Sequence, residues 1–550
     1  MKKASISIFV LFALVYIFSL GFRPLTIPDE TRYGEIPREM LTSGDWVVPH
    51  LNGLRYFEKP VFGYWVNAIS IILFGENAFA LRLPSALSVT VSALMIFLLV
   101  RSFSRRGPAP VLAPAIFLTC PLVLAIGHIA ILDSLLSMLL TGAMVCFFFA
   151  YMAQPGTRKS LFLALMGVFC GLAFLTKGFL AFAVPALAVA PFLLWEGRFK
   201  DLLRIPWIPM MTAFLTVLPW SLMIYSREGD FWNYFFFTEH VARFLDPVGG
   251  QHPEPFWYFV PVLVGGALPW AVQGPAALPM VLRTKTKRPL VRFALCWFLF
   301  PFLFFSACSG KLIAYVLPCF PPLAIIFAIG LADYFEAGKK KAFSVSAWLL
   351  AGIACLGGAF LLFSGMFTNE EIRIYGKDEG IKWLLGSLGA FLWGLLAIGS
   401  ARMKDYRKTL GVYCGAILIF FFIASFAVPD KDIDCRAPGR LLELNLSRVT
   451  PDAILVSNDN VVRAVCWFFK RDDVKLLEPV GELAYGLDHD DAKPGRLLSV
   501  DRLNDMIREN AGKRPVILVL NKEHYKSYAD RLPPPIFMDT DNHFVFAEFF

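Results

Sequence analysis

The chain has 550 residues, 57% of them hydrophobic and 17% charged, with 54 phenylalanines and a formal net charge of +9. This balance excludes a soluble globular class and predicts an integral, polytopic α-helical membrane protein. The first apolar run, Ile6–Leu20, follows Lys2 and Lys3 as a signal peptide does. No small-residue cleavage site comes after it and many similar runs do, so it reads as a retained first span. Runs near the roughly 20 residues needed to cross hydrocarbon recur at Ala80–Val100, Ala109–Gly127, Leu132–Met152, Ser160–Thr176, Phe179–Trp195, Ile205–Tyr225, Phe256–Leu282, Leu290–Ala307, Leu312–Tyr334, Phe343–Phe367, Ile381–Ser400 and Leu410–Val428. Together these predict about 13 transmembrane helices. Val61–Gly75 is apolar as well, but it is short and flanked by Glu58, Lys59 and Glu76, which predicts a helix lying in the interface.

Basic clusters fall at Lys2-Lys3, Arg101/Arg105/Arg106, Arg158-Lys159, Arg198/Lys200/Arg204, Arg283/Lys285/Lys287/Arg288, Lys339-Lys340-Lys341 and Arg402/Lys404/Arg407/Lys408. With the predicted spans they all lie on one side, the cytoplasmic one, together with the N-terminus. Much of the positive charge is therefore an orientation signal, and a nucleic-acid partner is not expected. The remaining loops face outward, as does everything after Val428. Residues 1–428 form the predicted membrane domain, with outward loops at 21–79 and 227–255. Residues 429–550 change character: β-rich runs (AILVSND, VKLLE, PVILVL, FVFAEFF) alternate with amphipathic ones (VVRAVCWFFKRD, SVDRLNDMIREN, EHYKSYADRL). They predict a small outward-facing α/β domain. Eight of the chain's ten cysteines lie in or beside apolar runs, as small hydrophobes do. The other two, Cys435 and Cys466, fall in the outward domain, where an oxidising compartment permits a disulfide between them.

Polar groups near a membrane span are costly, so those outside the basic loops need a reason. They share the outward side. The first outward loop carries PDETRYGEIPREM, with Asp29, Glu30, Arg32, Tyr33 and Glu35, then GDWVVPH and GLRYFEKP with Glu58 and Lys59. Asp133 starts the fourth span and Lys177 follows the fifth. FFFTEHVARF holds Glu239, His240 and Arg243, QHPEPFWY holds His252, and SGKLIAY holds Lys311 and Tyr315. Each has an ordinary reading alone: Asp29 as an acid at a helix start, Glu58–Lys59 as a solvated pair, His240 as a hydrogen-bonded interface residue, Lys177 and Lys311 as snorkelling cations. Their convergence argues against those readings, because chance scatters such groups over both faces.

A cavity holding these groups suits a substrate with an anionic phosphate and a lipid tail. Lys59, Arg243 and Lys311 can neutralise phosphate oxygens. Glu58 with His240, or with His252 as the alternative, can hold a divalent ion, zinc or similar. Neither a GxxxxGK[ST] loop nor a GxGxxG fingerprint is present, and no nucleotide is expected outside the cytoplasm. The energy must then come from an activated, lipid-linked donor.

The same stretches carry a resemblance. PDETRYGEIPREM, GDWVVPHLNGLRYFEKPVFGYW, LTKGFLA, FWNYFFFTEHVARF, PFWYFVPVL, GKLIAYVLP and RDDVKLLEPVGELAYGL make the chain similar to the aminoarabinose transferases of lipid A modification, within the GT-C class of polytopic glycosyltransferases. FEKP with GDW and PDETRY is specific for this branch, whereas an acidic first loop alone fits the whole class, protein O-mannosyltransferases included. GKLIAYVLP departs from the family's GKLPTYILP but keeps Lys311 and Tyr315. The resemblance implies transfer of 4-amino-4-deoxy-L-arabinose from undecaprenyl phosphate to lipid A phosphates at the periplasmic face of the Gram-negative inner membrane, among membrane lipids, with resistance to polymyxin as the consequence. It further implies Asp29 and Asp133 as essential carboxylates, Lys59 as a phosphate contact and Glu58 with His240 as a metal site. Arg243, Lys311 and Tyr315 are assigned to phosphate binding, with Arg32, Tyr33, Glu35 and Lys177 as further candidates. A runner-up is transfer from a polyprenyl-phosphate sugar to a protein or glycan hydroxyl. A lipid or sugar transporter fits less well, since the halves show no obvious repeat and the polar groups gather at one face rather than the midplane.

Overall fold

The computed structural model describes residues 12, 14–104, 107–242, 253–284, 288–366, 373–489 and 495–550, with 240–242 and 284 described by backbone alone. The chain divides into two compact units, one of Met1–Ser19 with Arg82–Val428, the other of Leu20–Leu81 with Pro429–Phe550.

The first unit is helical. Among the described residues, nine helices are long and apolar enough to cross a membrane: Ala78–Phe103, Leu132–Met152, Thr157–Lys177, Phe199–Arg227, Pro289–Ala307, Ile313–Glu336, Lys341–Ser364, Gly380–Arg402 and Tyr406–Ala424. Two predicted runs are broken. Ala109–Leu118 and Pro121–Gly127 meet at 62°, and Phe256–Gly266 and Ala271–Arg283 at 90°, so the number rises to 11 if each pair is one span. Prolines at the breaks, Pro121 and Pro269, have no N–H to continue a helical ladder. The run expected at Phe179–Trp195 yields the 16-residue helix Leu180–Trp195, and the run at Ile6–Leu20 falls within the described residues only at 12 and 14–20. The count of about 13 read from hydropathy therefore mixes straight spans with bent pairs and one short helix, because apolar length alone does not register a break.

The second unit is α/β. Short strands β1 (His50–Leu51) and β2 (Leu54–Arg55) pair antiparallel in the first loop. The main sheet comprises β3 (Ile454–Asn458), β4 (Lys475–Leu477), β5 (Leu497–Leu498), β6 (Val516–Asn521), β7 (Phe537–Thr540) and β8 (Phe544–Phe549) in the order β5-β4-β3-β6-β8-β7. The first four run parallel and β8 pairs antiparallel with both β6 and β7. The near-continuous apolar runs of β3 and β6 are those of strands covered on both faces. All four β-rich runs singled out in the sequence are strands. β5, with two residues, and β7, half-exposed at an edge, were too short or too polar to read. Helix Val500–Asn510 is capped by Ser499, whose hydroxyl accepts from Arg502 N at 3.2 Å, and it lays Leu503, Met506 and Ile507 against Val516, Leu518 and Val545.

The loop 21–79, assigned on sequence to the membrane domain, packs with residues 429–550. Asn52 and Gly53 turn the β1–β2 hairpin with φ of 58° and 66°, the left-handed pair that an Asn-Gly hairpin favours. Glu39 accepts from both of their backbone N–H groups, at 2.6 and 2.9 Å. The Asn52 side chain then bonds Val474 like a neighbouring strand, donating to its carbonyl at 2.8 Å and accepting from its N–H at 2.9 Å. Helix Ala484–Asp488 presses on β2 so closely that a Cβ at Gly486 would stand 2.6 Å from the Arg55 carbonyl oxygen and 2.9 Å from Leu54 Cβ. Gly486→Ala is therefore expected to push this helix off the hairpin and lower stability by about 1–3 kcal/mol. A thermal melt of the purified protein checks it.

The disulfide permitted by the sequence is not formed. Cys435 is an exposed free thiol, whereas Cys466 is buried in helix Val462–Phe469 with its Sγ 3.4 Å from Asn52 Oδ1. Burial pushes the Cys466 thiol well above its ordinary range and keeps it protonated, as a packed core group against the hairpin.

Candidate active site

Helix Asp29–Ser43 opens on two acids, Asp29 and Glu30, in the turn where the helix dipole favours negative charge. Its cap position is Pro28, with no side-chain capping bond, so Asp29 is a first-turn acid rather than the cap. Glu30 turns inward, accepting from Thr26 N at 3.0 Å, Thr26 Oγ1 at 2.9 Å and Arg23 at 3.1 Å. Asp29 faces the other way and accepts from Arg32 Nη2 one turn on. The same guanidinium donates through Nη1 to Glu482 Oε2 and, at 3.2 Å, to the Tyr56 hydroxyl. Arg463 Nη2 donates to that Glu482 oxygen as well, at 2.7 Å. Burial alone raises the Glu482 carboxyl, but the Arg32 and Arg463 guanidiniums, with hydrogen bonds from Arg32 and Tyr56, outweigh it and pull it down to about 2.

GLRYFEKP completes this network. Tyr56, Phe57 and Glu58 are buried, and the Tyr56 hydroxyl lies 3.1 Å from both Glu58 Oε2 and Glu482 Oε2, donating to one at a time. Burial holds that hydroxyl well above its ordinary range, as a neutral donor. Lys59 Nζ donates to the Glu58 carbonyl at 2.9 Å and stands 3.8 Å from its carboxylate. Phe57 packs its ring 5.2 Å from that of Tyr485, so the residue between the acid and the hairpin is anchored by the same segment that supplies Glu482. Glu35 is placed differently: it forms a two-pronged pair with Arg38, at 2.6 and 2.8 Å, and burial raises its carboxyl even against that cation. Tyr33 lies beneath the Arg32 guanidinium, 5.0 Å from ring centroid to Cζ.

In the first unit, three candidates meet. Asp133 sits in the first turn of Leu132–Met152 and accepts from Nζ of Lys177, the last residue of Thr157–Lys177, at 2.7 Å. That ammonium lies 4.9 Å from the ring centroid of Tyr315, in the 3-10 turn Ile313–Cys319. Lys311 is buried, with Nζ donating to the carbonyls of Glu254, at 2.7 Å, and Cys308. Arg243 and His252 lie outside the described residues. His240 belongs to the helical turn Tyr234–Ala242, and its side chain is likewise outside them.

Comparison with known proteins gives this geometry its setting. A family described as dolichyl-phosphate-mannose-protein mannosyltransferase matches residues 3–235, and one described as the C-terminal domain of arabinosyl transferase ArnT matches residues 433–548. An undecaprenyl phosphate-alpha-4-amino-4-deoxy-L-arabinose arabinosyl transferase of Shewanella sediminis is 40% identical, over 95% of each chain. Its counterpart in Serratia proteamaculans is 40% identical over 88% of this chain and 87% of that one. The chain belongs to this arabinosyl transferase family. The fold agrees: ArnT from Cupriavidus metallidurans, solved bound to undecaprenyl phosphate, superposes with a TM-score of 0.84 at 22% identity, covering 100% of this chain and 98% of that one. Its apo form superposes at 0.80.

For an arabinosyl transferase of this family the expected metal pair was Glu58 with His240 or His252. Among the described residues, no group of three or more His, Cys, Asp or Glu is placed to hold an ion. Glu58 accepts from Tyr56 and has an ammonium beside it, and the side chains of His240 and His252 lie outside the described residues. Three residues of the network were missed in the sequence: Tyr56, Arg463 and Glu482. Glu482 left one trace, as the single charge in GELAYGL, but its partner Arg32 is 450 residues away.

Proposed function

We propose that the chain transfers 4-amino-4-deoxy-L-arabinose from undecaprenyl phosphate to lipid A phosphates, at the periplasmic face of a Gram-negative inner membrane, with its N-terminus cytoplasmic and its α/β unit periplasmic. The observation that carries this reading is the bonded network of Asp29, Arg32, Tyr56 and Glu58, with Lys59 Nζ 3.8 Å from the Glu58 carboxylate, in a chain related over 95% of its length to enzymes named for that donor. An acceptor phosphate oxygen attacks the anomeric carbon with inversion. As that C–O bond forms, the bond to the polyprenyl phosphate breaks and its electron pair leaves on a phosphate oxygen. A phosphate monoester, with a second pKa of about 6, is largely dianionic at neutral pH, so no strong general base is needed. The chief task is stabilising the leaving phosphate, which falls to Lys59, while Asp29 presents charge to the sugar. In the membrane unit, Lys311, Tyr315 and Arg243 are the candidate phosphate contacts and Asp133, paired with Lys177, the candidate carboxylate. In the membrane unit, an apolar cavity of about 590 Å³ lined by Met166, Phe174, Phe182, Pro185 and Pro209 suits a lipid tail.

Lys59→Ala is expected to abolish transfer while the protein still inserts, measured with purified enzyme and undecaprenyl-linked donor. Wild-type turnover would remove Lys59 from the mechanism. The reading itself is tested by mass spectrometry of lipid A in a strain lacking its own transferase, where a gain of one aminopentose is expected. Reduced killing by polymyxin should accompany it, because an added ammonium lowers the surface's negative charge. Unchanged lipid A beside altered glycans would favour a hydroxyl acceptor instead.

A further inference from the structure

The α/β sheet has a topological switch. From β3 the chain steps outward to β4 and β5, then returns across to β6 on the other side of β3, all four strands parallel. In open α/β sheets such a switch leaves a crevice outside the carboxyl ends of the two central strands, and ligands bind there. A cavity of about 230 Å³ lies at that place, lined by residues that leave three neighbouring strands: Asn458, Asp459 and Asn460 after β3, Glu478 after β4, and His524 and Tyr528 after β6. None of these residues serves the transfer described above.

Asn458 ties the strand ends around this cavity together. Asn458 Nδ2 donates to Asn521 Oδ1 at 3.1 Å and to His524 Nδ1 at 2.8 Å, and its Oδ1 accepts from Val461 N at 3.1 Å. With Nδ1 as acceptor, the His524 ring carries its proton on Nε2. Asp459 is different. Its side chain, 18% exposed, lines the cavity, with Oδ2 3.5 Å from Arg463 Nη2 and Oδ1 buried without a hydrogen-bond partner among the described residues. The lining offers two carboxylates, two amides, an imidazole and a phenol, with no Lys or Arg, so it selects against anions. A metal ion fits poorly, because among the described residues no three His, Cys, Asp or Glu converge. The volume lies below the roughly 300–1,000 Å³ of drug-sized pockets and admits one ring-sized ligand.

We infer that this cavity is a second binding site, for a small hydroxylated ammonium of the amino-sugar class, with Asp459 receiving the ammonium and Asn460, Glu478 and Tyr528 the hydroxyls. The amino-sugar assignment rests on the donor proposed above; the cavity and its charge do not. Arg463 joins Asp459 to Glu482, Glu482 joins Arg32, and Arg32 joins Asp29, so an unbroken series of ion pairs links the second site to the candidate active site.

The test uses the full-length protein in detergent with carbon-13-labelled histidine, the His524 resonance being assigned by its loss in His524→Gln. Free 4-amino-4-deoxy-L-arabinose is expected to shift that resonance saturably, and L-arabinose, with hydroxyl in place of amine, to need at least tenfold more ligand. Asp459→Asn should weaken the aminosugar at least tenfold. If that variant fails to fold, Asn460→Ala, at an exposed position, should weaken both sugars alike. A His524 resonance that stays fixed at saturating aminosugar, or an equal response to both sugars, overturns the inference. The readout needs neither lipid nor turnover: a shift without transfer to lipid A would sink the proposed function and leave this site standing, and transfer without a shift would do the reverse.

Discussion

Glu482→Gln is expected to lower transfer roughly a hundredfold or more and to destabilise the α/β unit, although Glu482 lies outside every stretch that reads as catalytic in the sequence. The substitution keeps the side chain's size and removes its charge. Arg32 and Arg463, with side chains only 9% and 1% exposed, then face a neutral amide, and stripping the partner from a buried pair costs about 3–5 kcal/mol. Part of that cost appears as lost stability and part as misplacement, since Arg32 holds Asp29 and Tyr56 bridges to Glu58. The effect should be pH-dependent. The folded Glu482 carboxyl sits at about 2, below its ordinary 4.5, so its contribution is fully present above about pH 4.5 and is lost as pH falls toward 2. That contribution is on the order of 3 kcal/mol. Glu35 and Glu39, whose carboxyls burial raises, slope the other way, favouring the folded state on acidification. Subtracting the Glu482→Gln melting curve from wild type between pH 5 and 2.5 cancels their contribution and isolates the network. A difference that stays flat across that window would show that Glu482 is not held as an anion by its two arginines.

The membrane spans were legible because hydrocarbon thickness imposes a length that composition reports directly. Breaks were not: the 62° bend after Leu118 leaves the apolar run uninterrupted. Within the site, Asp29, Arg32, Glu58 and Lys59 were legible since they are charges in an outward loop of a greasy chain, and Asp133 with Lys177 since each ends an apolar helix. What joined them was not. Tyr56 looks like any aromatic, and the pairing of Arg32 with Glu482 or of Asn52 with Val474 spans more than 400 residues without a local signature. The Asn-Gly turn was visible, yet nothing in a hairpin of two-residue strands announces that it docks on a parallel sheet. The cysteine pair failed for the same reason: compartment permits a disulfide, but only packing decides that Cys466 faces the hairpin.

The second large effect concerns the ammonium of the transferred sugar. Three acids were candidates to receive it: Glu35, Asp133 and Asp29. Glu35 spends both oxygens on Arg38 in a buried two-pronged pair. Asp133 is bonded to Lys177 at 2.7 Å, with its side chain 13% exposed. Asp29 gives one oxygen to Arg32 and keeps its side chain 49% exposed, so it alone of the three combines a fixed orientation with room for a substrate. A charge-assisted hydrogen bond from a sugar ammonium to such a carboxylate is worth about 1.5–3 kcal/mol, or roughly ten- to a hundredfold in rate. Asp29→Asn should therefore lower kcat/KM for the aminoarabinosyl donor by that factor relative to an undecaprenyl-phosphate arabinose carrying hydroxyl in place of amine. Glu35→Gln, by contrast, should lower stability and treat both donors alike, because it leaves Arg38 buried without its anion. Equal losses on both donors in Asp29→Asn would assign Asp29 to the reacting centre itself, where it acts on any sugar. Recognition of the amine would then have to come from a carboxylate that another cation releases on binding, with Asp133 and its Lys177 partner as the pair to vary next.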